Sequence, residues 1–176
     1  MDSERRPGPR RKVAGSFIPS RFAFARETLT FMRQSYLDIE GCTARFHGNL
    51  DITALGGAGF ASQRTTGDDR SWNLSGYDGI HLSLGAHDGK KYTLTLKDEI
   101  LPLLADGREQ SSLSYEYDFD SKDDMDIFVP WQAMKATYRG TEQKDAKSLD
   151  VQSVKRMSLM MRRYECTLPD QWRPSI

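Results

Sequence analysis

The sequence predicts an all-β chain folded as an antiparallel β-sandwich, and three observations carry that prediction. Apolar residues recur at every second position in short runs of five to nine residues, the pattern of a half-buried strand. Glycine and aspartate punctuate these runs where turns belong. No stretch carries a clean apolar stripe of helical period. At 176 residues the chain is sized for one domain, too short for two well-packed ones.

Residues 1–20 mix arginine clusters with three prolines and two glycines. Such a segment buries too little apolar surface to offset its ordering entropy, so it reads as a disordered tail. Its arginines fit a mitochondrial transit segment, a nuclear-localisation patch at Arg5-Arg6 and Arg10-Arg11-Lys12, or a plain solvated tail. Asp2 and Glu4 work against the first of these. Residues 21–33 allow a weak helix, with Phe22, Ala25, Leu29 and Met32 at helical spacing, although Phe24 and Phe31 point the opposite way.

The strands follow. Ala44, Phe46 and Gly48 share one face of a first strand, and residues 58–65 make a glycine-led second around Phe60. Ile80, Leu82 and Leu84 alternate with His81 and Ser83, which turns His81 outward. Tyr92, Leu94 and Leu96 alternate after the turn residues His87-Asp88-Gly89, so these two runs read as a hairpin. Leu113, Tyr115, Tyr117 and Phe119 form the next strand, with both tyrosines on its core face. Ile127 and Val129 begin a short strand that Pro130 ends, and Met157, Leu159 and Met161 supply a late one.

Charge is balanced overall, 25 basic against 25 acidic side chains, which does not suit a chain built to hold nucleic acid. The balance hides a polarity. Residues 1–33 carry eight Lys/Arg against three Asp/Glu, a net +5, so the remainder stands at −5. Residues 98–126 hold ten acids and two bases, whereas 135–163 hold eight bases and three acids. These blocks either pair internally or face a partner. No apolar run approaches the ~20 residues of a membrane helix. Cys42 and Cys166 are too few and too distant for a disulfide framework.

Motifs for chemistry are sparse. Gly57-Ala58-Gly59-Phe60-Ala61-Ser62 has serine in place of the last glycine of a dinucleotide fingerprint. It also opens onto a strand instead of the helix that would hold a pyrophosphate. His47, His81 and His87 lack ligand spacing for zinc. The acidic run Asp118, Asp120, Asp123, Asp124 and Asp126 attracts cations but lacks the glycine and terminal glutamate of an EF-hand loop. Asn73-Leu74-Ser75 fits a glycosylation site with no secretory signal before it. No residue set supports acid–base or nucleophilic catalysis, and no cofactor or metal site is expected.

Several longer strings carry a resemblance. Ala44-Arg45-Phe46-His47-Gly48-Asn49-Leu50 and Gly57-Ala58-Gly59-Phe60-Ala61-Ser62-Gln63-Arg64-Thr65 look like opening strands. Trp72-Asn73-Leu74-Ser75-Gly76-Tyr77-Asp78-Gly79-Ile80 follows, with Gly89-Lys90-Lys91-Tyr92-Thr93-Leu94 after the turn. Val129-Pro130-Trp131 and Lys135-Ala136-Thr137-Tyr138-Arg139-Gly140 match a late strand and the Arg-Gly turn after it. Together, over about residues 34–162, they resemble the fungal branch of the complex I intermediate-associated protein family. That family is named for a thirty-kilodalton assembly factor of mitochondrial NADH:ubiquinone oxidoreductase.

The resemblance implies a galactose-binding-like jelly-roll sandwich acting as a non-catalytic, chaperone-like assembly factor. Its partners would be complex I subunits or assembly intermediates, and its compartment the mitochondrion, with the cytoplasm as the alternative. Arg64, Tyr138 and Arg139 are the motif positions it marks for partner contact; for Arg64 the competing reading is a structural pair with a strand carboxylate. A carbohydrate- or small-ligand-binding module is the alternative function, resting on fold type alone. Both ends depart from the family pattern. Glu27 to Arg33 replace a Gly-rich stretch, and after Arg162 the expected last alternating strand is missing, with Pro169 and Pro174 opposing one. The expected division is therefore a tail at 1–33, a sandwich domain at 34–162 and an irregular tail at 163–176.

Overall fold

The structure, a computed structural model, describes residues 24–25, 34–49, 60–67, 69–85, 88–121 and 126–162. Its strands are β1 (Phe24–Ala25), β2 (Gln34–Glu40), β3 (Thr43–Asn49), β4 (Phe60–Thr65), β5 (Gly79–Ser83) and β6 (Lys91–Lys97). They continue with β7 (Ser114–Asp120), β8 (Asp126–Pro130), β9 (Lys135–Tyr138), β10 (Thr141–Glu142) and β11 (Arg156–Arg162). The chain is all-β and its strand pairings are antiparallel. Seven strands join in one sheet, ordered β1-β4-β11-β6-β7-β9-β10, and β2-β3 and β5-β8 form two separate pairs.

Register decides which residues share a face. Leu94 lies opposite Leu159 and Tyr117, and Leu96 opposite Met157 and Tyr115, so these side chains line one face of the large sheet. The β5-β8 pair covers that face. Ile80, Leu82, Ile127 and Val129 pack with Leu94, Phe119 and Leu159. Beside them Leu96, Tyr115 and Val154 form a second cluster, closed by Trp72, Leu113 and Trp131. The β2-β3 pair meets the same face at its Tyr92 end, where the Phe46 and Tyr92 rings lie edge to face at 6.1 Å. Ser35 Oγ donates to the Ser62 carbonyl at 2.9 Å, and Gln63 Nε2 donates to the Ser35 carbonyl at 2.6 Å. These bonds satisfy the buried Gln63 amide.

Two sequence expectations change. The runs at 80–84 and 92–96 are not a hairpin: β5 pairs with β8, and both edges of β6 are taken by β11 and β7. The two runs instead face each other across the core. Alternation reports which face of a strand is buried, and carries nothing about which strand lies alongside. The second change is at residues 24–25, which are extended and pair with Thr65 and Arg64 instead of joining a helix. Phe24 and Ala25 take the edge of β4 that β11 leaves open. The rest of the 21–33 helix, the 1–20 tail, the fingerprint glycines at 57–59 and the tail at 163–176 lie outside the described residues.

Strands β2, β9 and β10 were not visible in the periodicity. β9 and β10 are joined by Arg139 and Gly140, whose φ values are +51° and +79°. Positive φ at both central residues is what a two-residue type I′ hairpin turn requires.

Candidate partner-binding site

The opposite, outward face of the large sheet brings three cations together. Arg156 lies opposite Lys97 across β11 and β6, and Arg64 on β4 lies opposite Ser158, so Arg64, Arg156 and Lys97 share this face on three adjacent strands. Like charges so close repel unless a carboxylate joins them. The loop between β6 and β7 supplies it. Glu109 accepts from Arg64 Nη1 on both oxygens at 2.8 Å, and from Arg156 Nη1 and Nη2 at 2.9 and 3.3 Å. Lys97 Nζ donates to Ser112 Oγ at 3.1 Å. Burial pushes the Glu109 carboxyl up, but hydrogen bonds from Arg64 and Arg156 outweigh it and hold the group below its ordinary value of 4.5. Burial, followed by the charge of Arg156, lowers Lys97.

The loop, residues 98–113, is a self-bonded Ω-type excursion whose ends are close because β6 and β7 are neighbours. Gly107, at φ +80°, closes a tight turn in which Gly107 N donates to Leu104 O and Leu104 N to Arg108 O. Asp106 takes bonds from the Arg108 backbone and guanidinium. Gln110 Nε2 donates to Pro102 O, and Ser112 Oγ to Glu99 O. At the loop's root Asp98 is buried; its Oδ2 accepts from Asp150 N at 3.1 Å, Tyr115 OH at 3.3 Å and Lys147 Nζ at 3.3 Å.

The β9-β10 turn reaches the same loop from the other side. Arg139 Nε donates to Ser111 Oγ at 3.2 Å, and its guanidinium carbon sits 5.5 Å from the Tyr138 ring centroid. Between turn and loop lies a cavity of about 360 Å³, walled by Leu104 and residues 108–111 on one side and by Tyr138 and Arg139 on the other. Five large hydrophobic residues are exposed among the described residues, and Leu103 (56%), Leu104 (43%) and Tyr138 (39%) are three of them. A wider cavity of about 540 Å³ opens elsewhere, between 131–136 and 142–151, with Tyr115 and Lys135, Lys144 and Lys147 in its lining.

The three residues singled out from sequence therefore converge on one loop. Arg64 holds Glu109, Arg139 holds Ser111 two positions on, and Tyr138 walls the cavity between them. The Arg64 carboxylate partner lies on this loop and not on a strand. Sequence reasoning missed Glu109, Ser111 and Arg156. The signal available was the contrast between the acid-rich 98–126 and base-rich 135–163 blocks, which meet at Arg156–Glu109 and Lys147–Asp98. Among the described residues no group of His, Cys, Asp and Glu is placed to hold a metal ion, and no helix is long and apolar enough to cross a membrane.

Residues 32–171 match the family model described as Complex I intermediate-associated protein 30 (CIA30). The chain belongs to this family. The match takes in every described strand except β1, and with them Arg64, Glu109, Tyr138, Arg139 and Arg156. An uncharacterized protein of Schizosaccharomyces pombe, C9E9.15, is 44% identical over 124 residues, which is 69% of this chain and 56% of the yeast protein. The chain thus spans little more than half the length of that curated relative. As a CIA30 member it is tied by family name to intermediates of complex I.

Proposed function

We propose that this chain is a non-catalytic, chaperone-like factor that assists assembly of mitochondrial respiratory complex I by binding its subunits or intermediates. The observation that carries this reading is the CIA30 match over residues 32–171. A place to bind supports the reading: the 98–113 loop and the Tyr138-Arg139 turn gather exposed apolar side chains and guanidinium groups on one surface. Arg64 serves that surface by fixing Glu109, while Tyr138 and Arg139 make the contact. In this reading the sandwich at 34–162 is the working domain, of galactose-binding-like jelly-roll type, and acts in the mitochondrion.

Affinity capture from mitochondrial lysate with the tagged full chain tests the proposal. Complex I subunits enriched over a tagged control are expected, and recovery at control level would overturn it. A sugar panel in a thermal-shift assay addresses the carbohydrate alternative. No shift is expected from any sugar, and a reproducible, saturable one would favour that alternative.

A further inference from the structure

The backbone of Arg139 is unusual for its residue type. It is the single non-glycine residue with positive φ among the described residues, in a turn position that Asn, Asp or Gly fills without strain. A residue held in the left-handed region against its preference points to a use for the side chain. That side chain lies beside the Tyr138 ring, its guanidinium carbon 5.5 Å from the centroid, while the residue stays exposed. Its Nε is fixed by Ser111, and neither terminal nitrogen has a hydrogen-bond partner among the described residues. Arg108, on the facing wall, differs: its Nε and Nη2 are both engaged by Asp106. The cavity thus offers one oriented, unoccupied guanidinium edge, an aromatic wall and the exposed apolar pair Leu103-Leu104 beside it.

We propose that the cleft between the 98–113 loop and the β9-β10 turn recognises an acidic, apolar peptide segment of a partner protein, with a carboxylate seated on the terminal nitrogens of Arg139. A planar guanidinium with two parallel donors free matches a carboxylate in bidentate fashion. Tyr138 and Leu104 take an apolar neighbour of that carboxylate. Charge in the lining supports the same occupant: Glu109 is held by Arg64 and Arg156, and Arg108 by Asp106, which among the described residues leaves Arg139 as the charge of the cleft without an ionic partner. This inference deepens the partner-binding reading and rests on it for the identity of the surface.

The test is fluorescence anisotropy of the full chain with a labelled peptide of repeating Glu-Leu-Asp-Phe, beside the isosteric peptide in which Gln and Asn replace the acids. Saturable binding of the acidic peptide, weakened by added salt and lost with the isostere, is expected. Arg139→Gly should weaken it by about tenfold or more, the scale of one lost hydrogen bond to a charged group. Arg139→Lys, which keeps the charge and loses the fork, should fall between, and Tyr138→Ala should weaken binding with the charge intact. The unfolding midpoint of Arg139→Gly should match or exceed that of the wild type, so that its loss of binding is not unfolding. Equal binding of both peptides, no binding of either, or unchanged affinity in Arg139→Gly would overturn the inference. If that occurs while complex I subunits are still captured, the assembly reading stands and the cleft assignment alone fails. Peptide binding that meets every expectation, with no subunit captured, leaves the cleft standing and removes the assembly reading.

Discussion

Arg156 donates both terminal guanidinium nitrogens to the Glu109 carboxylate, at 2.9 and 3.3 Å, and so ties a loop that bonds mainly to itself onto the outward face of the large sheet. Arg64 completes the clamp from the neighbouring strand. The arginines are in β11 and β4, so the loop is held across strands far apart in sequence. Its apolar tip at Leu103 and Leu104 is presented at a fixed place relative to Tyr138 and Arg139.

Removing the shared carboxylate should cost more than removing either donor that has solvent access. Arg156 is only 9% exposed in its side chain and Glu109 40%. Glu109→Ala removes the carboxylate that both arginines share beside a nearly buried guanidinium, at a cost of about 2–3 kcal/mol, less than the ~3–5 kcal/mol of a fully buried pair because water reaches the glutamate. Arg64→Ala leaves Glu109 paired with Arg156 and should cost within about 1 kcal/mol. Urea unfolding midpoints at neutral pH provide the comparison, and equal effects would contradict the clamp.

Acid should act through the same group. The Glu109 carboxyl lies below its ordinary 4.5 in the folded chain, so it binds its proton more readily when unfolded. Its contribution is therefore fully present above about that value and lost as pH falls through the lower, folded one. The stability gap between wild type and Glu109→Ala should hold constant near neutrality and shrink below pH 4.5. A gap unchanged through that range would show that the clamp is not electrostatic.

Alkali should act on the core. Burial, with the negative charge of Asp98 next, pushes the Tyr115 hydroxyl up to about 12. A raised tyrosine contributes stability below its ordinary 10.0 that is lost as pH rises toward the folded value. Tyr115→Phe should remove part of this alkaline loss, followed by circular dichroism between those pH values. At neutral pH it should cost about 1–2 kcal/mol, since the hydroxyl also reaches the carbonyls of Lys147 and Ser148.

Gly79 carries a steric demand. A Cβ there would stand 2.2 Å from the Val129 carbonyl oxygen and 2.8 Å from Pro130 Cα, both backbone atoms of the paired strand β8. Gly79→Ala must push β5 and β8 apart over the core they cover, at about 1–3 kcal/mol or somewhat more. Thermal unfolding measures it. A wild-type midpoint would mean that the β5-β8 pairing is not as described.

The layers were legible because their chemistry is local. Leu94 and Leu96, like Tyr115 and Phe119, alternate with polar neighbours, and each is buried as that pattern requires. Pairing was not legible, since Ile80 and Val129 become partners across a long intervening chain that no local period encodes. β2 carries no clear alternation, because its outward and inward positions differ little: Ile39 is 45% exposed, so its apolar character marks no core. At the site, Tyr138 and Arg139 were found through a string that resembles a family motif. Glu109 sits in an irregular stretch with no motif, and only the folded loop places it between Arg64 and Arg156.

On the proposed reading, this CIA30-family chain serves complex I assembly. The most direct measurement is the amount of fully assembled complex I, read by native gel electrophoresis of mitochondria from cells lacking the chain. Less holocomplex, accumulation of smaller intermediates, and restoration of the holocomplex when the full chain is returned are expected. Holocomplex at the normal level, with no intermediates accumulating in its absence, would contradict it.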